Sequence, residues 1–151
     1  MTAIYAITLP ASPERVFEAL TNSEELTRWW GDDSTYWMTQ VQQDVRPGGA
    51  ANYFFAFAHD DAVSGSAAGR TSGSTGITRA SEPPHMLEYT RKYSDGFPCK
   101  EETVIRYNLE SSNGGTRLTV THSGFQSEEM VKLHRHGWER AFEWLDRYLR
   151  S

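Results

Sequence analysis

Proton-transfer chemistry in this chain would have to run through five histidines: His59, His85, His122, His134 and His136. An imidazole can act as an acid/base group, a hydrogen-bond partner for a polar ligand atom, or a metal ligand. Metal binding is not expected. No His-x-x-x-His or His-Glu-x-x-His spacing occurs, and these are the spacings that place two imidazoles on one helix face. His134 and His136 lie two residues apart, which turns them about 200° from each other on a helix. His122 and His134 are the pair that would supply polar contacts or acid/base groups if both faced a cavity, and Tyr107 completes the only catalytic set in view. The single cysteine, Cys99, cannot form an internal disulfide. Lys100 beside it would depress its pKa, yet a lone loop thiol is ordinarily inert. Asp44, Arg46, Pro47, Gly48 and Gly49 read as a turn with a local ion pair, with no base or nucleophile alongside. No catalytic residue, metal or cofactor is assigned.

Aromatic surface is the larger resource. Five Trp, seven Tyr and seven Phe make up 13% of the chain, so an internal cavity would have flat, bulky walls. Hydrophobic residues at 38% and charged residues at 23% give an ordinary globular balance over 151 residues. That length matches one domain, 1–151, which buries roughly 70% of the surface its unfolded chain exposes. Fifteen basic and twenty acidic residues leave a net charge of −5. Without a long Lys/Arg cluster, nucleic acid is not an expected partner. Met1–Leu9 has neither a basic start nor a long apolar run, so it does not read as a signal peptide. No stretch of about 18 apolar residues occurs to span a membrane. A cytoplasmic location is expected.

These side chains need elements to position them. Ala3–Leu9 reads as a strand stopped by Pro10. Ser12-Pro13-Glu14 starts a helix, with Ser12 as N-cap and proline in the first turn. Thr21-Asn22-Ser23 breaks it, and Ser23 caps a second short helix that runs to Trp30 and ends at Gly31. The middle reads as strands: Tyr36–Val45, Ala51–Ala58, one weakened at Ser72-Gly73-Ser74 that recovers in Gly76–Ser81, then Met86–Tyr93, Glu101–Leu109 and Thr116–His122. The breaks are Arg46-Pro47-Gly48-Gly49, the polar connection His59–Gly69, Glu82-Pro83-Pro84, Ser94–Pro98 and Ser111–Gly115. Arg79, Arg91, Arg106 and Glu88 alternate along these strands, and periodicity leaves open whether they face solvent or a cavity. From about Ser127 to Leu149 the apolar spacing is helical: Met130, Leu133, His134, Gly137, Trp138, Ala141, Leu145. Such a helix is ~33 Å long, enough to cross and cover the sheet. Gly137 on its apolar stripe costs about 1 kcal/mol of helix stability. Close approach of the backbone to Trp29 or Trp30 is the expected reason, with an open space as the alternative.

The segments Pro13–Thr21, Leu26-Thr27-Arg28-Trp29-Trp30, Asp44–Gly49, Glu82-Pro83-Pro84 before Met86-Leu87, Gly115–Leu118, His122-Ser123-Gly124-Phe125 and Gly137-Trp138 with Leu145 carry a family resemblance. Together they resemble the START-like (SRPBCC) superfamily, in the branch similar to the C-terminal domain of the activator of heat-shock protein 90 ATPase. The chain departs from that pattern at Asp60–Gly69, which is longer and richer in Ser, Ala and Gly. The resemblance implies an α+β helix-grip fold: a curved antiparallel sheet of about six to seven strands around a long C-terminal helix, with two short helices after the first strand. It also implies a cavity between sheet and helix for a small hydrophobic or aromatic molecule. The expected walls are Trp30, Tyr53, Phe55, Tyr107, Leu118, Leu133, Trp138 and Phe142, with His122 and His134 as polar contacts. The rival expectations are a cyclase/aromatase or hydrolase using the cavity His and Tyr, and a module that docks on a chaperone. Monomer and homodimer are both compatible.

Overall fold

A computed structural model describes residues 1–59, 71–94 and 97–151. The Asp60–Gly69 connection and part of the loop after Tyr93 lie outside the described residues. The strands are β1 (Thr2–Leu9), β2 (Tyr36–Gln43), β3 (Ala51–Phe57), β4 (Thr71–Thr75), β5 (Thr78–Glu82), β6 (Met86–Tyr93), β7 (Thr103–Ser112) and β8 (Gly115–Ser123). The helices are α1 (Pro13–Thr21), α2 (Ser23–Trp29) and α3 (Glu128–Arg150). Every strand pair is antiparallel, and the continuous path runs β1-β8-β7-β6-β4-β3-β2. Strand β5 lies off that path and pairs with β6.

The weakened stretch at Ser72–Ser74 is therefore a strand of its own. β4 and β5 both border β6, with a break at Gly76-Ile77 between them. A Cβ at Gly76 would overlap the Thr90 carbonyl, so the two backbones can meet this closely only with glycine there. Ser12 caps α1 as expected, accepting from the Arg15 N–H. The cap of α2 shifts by one: Asn22, not Ser23, accepts the Glu25 N–H at 3.0 Å. α2 ends at Trp29, and Gly31 follows at φ +122. There the chain turns against β2 in a space that a side chain at this position would overfill.

Alternation in β6, β7 and β8 defines one inner face. Leu87, Tyr89 and Arg91 on β6, Ile105, Tyr107 and Leu109 on β7, and Leu118, Val120 and His122 on β8 are all buried. Register aligns them in rows, such as Leu87–Tyr107–Val120–Tyr5 and Tyr89–Ile105–His122–Ala3. The opposite face carries Arg79, Glu88 and Arg106 as half-exposed ion pairs at 3.6 and 3.4 Å. Helix α3 lies across the inner face with His134, Trp138, Ala141, Phe142, Trp144 and Leu145 buried. Ser127 caps it by accepting the Met130 N–H. The buried Glu25 carboxylate ties the three helices together, bonding Arg15 of α1 at 2.6 Å and the Tyr148 hydroxyl of α3 at 2.7 Å. Among the described residues no helix is long and apolar enough to cross a membrane.

Candidate functional site

Sheet and helix do not fill the space between them evenly. On the β7–β8–β1 side, Trp138 closes the grip. Its ring lies edge-on to Trp30, Tyr107 and His122 with centroids 5.7–6.1 Å apart, a favoured geometry for aromatic pairs. Its indole N–H donates to His122 Nδ1 at 3.0 Å. An indole is a donor only, so Nδ1 accepts and the His122 proton sits on Nε2. That N–H meets Thr103 Oγ1 at 2.8 Å, and the Thr103 hydroxyl donates to the Arg91 carbonyl at 3.4 Å. His122 is fully buried, with both nitrogens satisfied inside the core. Burial first, and then the charge of Arg91, hold its pKa well below the ordinary histidine range.

On the other side, between β2, β3, β6 and the first half of α3, a cavity of ≈ 460 Å³ remains. Its deep walls are Trp30, Met38, Phe55, Phe57, Arg91 and His134, all buried. Tyr36, Tyr93, Phe97 and Leu133 are half-buried around them, and the exposed Ser34, His59, His136 and Arg140 stand at the mouth. Gly137 forms part of the wall. A Cβ there would meet nothing within 4 Å. The glycine is thus not needed for close approach to Trp29 or Trp30, and the alternative of open space is the one observed. Gly137→Ala is expected to stabilise the chain by about 1 kcal/mol, raising the thermal midpoint by roughly 2–4 °C. A calorimetric scan checks this, and a fall in the midpoint would mean that the helix needs glycine here.

His134 lines the cavity while committed on both sides. Its Nδ1–H donates to the Met130 carbonyl at 2.8 Å, and Nε2 accepts from the Tyr93 hydroxyl at 2.9 Å. Desolvation dominates and lowers its pKa to about 4, so the ring is neutral at pH 7. Four of the ten expected wall and contact residues line the cavity: Trp30, Phe55, Leu133 and His134. The other six do not. Tyr53 packs its ring on the Arg91 guanidinium at 5.5 Å and donates its hydroxyl to Gln43. Tyr107 is hydrogen-bonded to Tyr89 at 3.0 Å. Leu118 and His122 are in the closed core, and Trp138 and Phe142 pack on each other there. The grip closes around these six, so their side chains meet other side chains and not the space.

Tyr36, Met38, Phe57, Arg91 and Tyr93 line the cavity without having been singled out as walls. Arg91 had a signal in the sequence. It shares strand parity with Leu87 and Tyr89, which marks it as a charge on an otherwise apolar face. Among the described residues, no three His, Cys, Asp or Glu side chains gather as a metal site.

A curved antiparallel sheet closed around one long helix, with a space kept between them, defines the helix-grip class of protein. The chain belongs to the family described as Activator of Hsp90 ATPase homolog 1-like protein, which matches residues 10–150, a branch of the START-like superfamily. Solved structures share the fold at low identity. A protein from Rhodobacter sphaeroides is 24% identical, with 99% of this chain and 91% of that one covered and a TM-score of 0.80. The AHSA1 protein from Silicibacter pomeroyi is 19% identical, covering 99% and 98%, with a TM-score of 0.79. CalU16 from Micromonospora echinospora is 23% identical, covering 98% and 75%, with a TM-score of 0.69. No curated protein matches the chain.

Proposed function

We infer that this chain is a cytoplasmic, one-domain binding protein that holds a small hydrophobic or aromatic molecule between its sheet and α3. The observation that carries this reading is the ≈ 460 Å³ space walled by Trp30, Met38, Phe55 and Phe57. Its volume lies in the range of small-molecule sites, which combine apolar walls with a few placed polar groups. Gly137 supports the reading independently, because a helix wall without a side chain widens the space at a cost in helix stability. An enzyme using His122, His134 and Tyr107 has less to support it. Only His134 of the three lines the cavity, and all four ring nitrogens of the two histidines are spent on protein partners. A chaperone-docking surface would call for a contiguous apolar patch. The exposed large apolar side chains among the described residues are instead scattered: Met1, Ile4, Trp37 and Ile77.

Trp30 in the wall provides the test. Aromatic and aliphatic small molecules titrated into the protein should include compounds that quench tryptophan emission saturably with one-to-one stoichiometry. A second variant separates cavity from surface binding. Gly137→Phe places a ring in the open space and should abolish the saturable quenching while the fold persists. Absence of saturable quenching by any compound, or undiminished quenching in Gly137→Phe, would remove the reading.

A further inference from the structure

We propose that the ligand of this cavity is an aromatic carboxylate, its carboxylate paired at depth with the guanidinium of Arg91 and its ring held among Trp30, Phe55 and Phe57. This rests on the cavity being a binding site, and adds the charge and chemical class of the occupant.

Arg91 is 7% exposed and lines the cavity. A buried cation normally has an anionic partner, because its desolvation is otherwise uncompensated. Arg91 has none: it forms no ion pair with any Asp or Glu among the described residues. Its guanidinium carries five N–H donors and makes two long hydrogen bonds, both at 3.4 Å, to the hydroxyls of Tyr93 and Tyr89. Its buried Nε is without a partner. The rings of Tyr53, Tyr89 and Tyr93 lie 5.5–5.9 Å from the guanidinium carbon. This aromatic cage holds the cation in place and, among the described residues, leaves most of its donors unspent.

A second unspent donor lines the same space. The Tyr36 hydroxyl accepts from the Trp30 indole N–H at 3.1 Å and donates to no acceptor among the described residues. The charge of the lining is one-sided: Arg91 below, Arg140 at the mouth, and no Asp or Glu among the lining residues described. The chain as a whole carries −5, so the positive lining is a local property.

Geometry and charge favour a carboxylate. The planar fork of a guanidinium matches the two oxygens of a carboxylate. One buried cation neutralises one negative charge. A phosphate dianion at the same depth would keep a surplus charge away from water, with only the neutral His134 and Tyr93 beside it.

A matched pair of probes tests this: 2-naphthoate and the neutral 2-naphthamide, which share ring and size. Calorimetric titration of the intact chain should show the naphthoate binding at least about tenfold more tightly, the scale of one charge-assisted hydrogen-bond pair. Arg91→Met should abolish that preference, so that naphthoate binds no more tightly than naphthamide. Because it replaces an unpaired buried charge by an apolar chain of similar length, it should fold with an undiminished thermal midpoint. Tyr36→Phe, in a background that keeps Arg91, should weaken naphthoate selectively by a few-fold. Equal binding of the two probes to the wild type overturns the proposal and leaves the cavity reading standing, with Arg91 a caged structural cation. A preference that survives in Arg91→Met also overturns it. Binding of neither probe at millimolar concentration also overturns the proposal, while the cavity reading is decided separately by the quenching titration and Gly137→Phe.

Discussion

Trp138→Ala is expected to destabilise the chain by about 3–5 kcal/mol, the range for truncating a large buried aromatic. Trp138 is 4% exposed and sits where α3 meets Trp30 and Tyr107, with Phe142 of the same helix beside it. The truncation removes that packing and also orphans His122 Nδ1, whose only partner among the described residues is the Trp138 indole. Domains of this size are stable by about 5–15 kcal/mol, so the variant should stand at the edge of folding. Urea unfolding measures the loss. Trp138→Phe divides it, since the ring largely remains while the N–H goes. Its expected cost is about 1–3 kcal/mol, the penalty for an unsatisfied buried acceptor. A loss below about 1 kcal/mol in Trp138→Ala would show that the grip is not closed at this residue.

Acid should destabilise the fold well before carboxylates titrate. His134 has its pKa lowered from 6.5 to about 4, chiefly by desolvation, and burial likewise holds that of His122 well below 6.5. Both are neutral in the folded state. As pH falls below 6.5 the unfolded chain takes up protons that the folded chain refuses, so stability drops. The His134 contribution is complete above 6.5 and lost by about pH 4, on the order of 3 kcal/mol in all. Each histidine adds a slope approaching 1.4 kcal/mol per pH unit inside its window. The two rings are 5.1 Å apart, so protonating one further resists protonation of the other. Urea midpoints measured across this range should fall steadily with pH. His134→Gln keeps a donor and an acceptor but cannot titrate, and should remove about half of the slope. A flat profile between pH 6.5 and 4 would contradict neutral burial of both rings.

Much of the fold was legible in the residues because its cues are local. Ser12-Pro13 and Ser127 mark helix starts through capping geometry, and the apolar spacing from Met130 to Leu145 marks the inner face of α3. The errors at this level are small and have physical causes. Asn22 outbids Ser23 as the α2 cap because its side-chain oxygen reaches the Glu25 N–H. Gly76 divides a strand because the Thr90 backbone lies where its side chain would be.

The site was less legible, because sheet order decides it. Local pattern placed Phe55 in a strand and Leu133 and His134 on the apolar stripe of α3, but left open which strand face turns inward. Which part of that face is packed and which is open depends on β6 neighbouring β4 and β7, and on where Trp138 lands. Local pattern contains neither. Tyr107, Leu118 and His122 share the inner face with Arg91, yet Trp138 covers their end of the sheet and Gly137 uncovers the other. One residue along α3 separates the closed part of the grip from the open part.

The most direct test of a small-molecule site between sheet and α3 is the location of a bound probe. Methyl-resolved NMR spectra recorded with and without saturating 2-naphthoate, and again with 2-naphthamide, supply it. The reading predicts shifts confined to the Met38 and Leu133 methyls, with the Gly137 amide shifting alongside, while the methyls of Leu87, Leu109 and Leu118 in the packed core hold their positions. Saturation of every resonance without change, or shifts centred on Leu118 and Leu109, would contradict it.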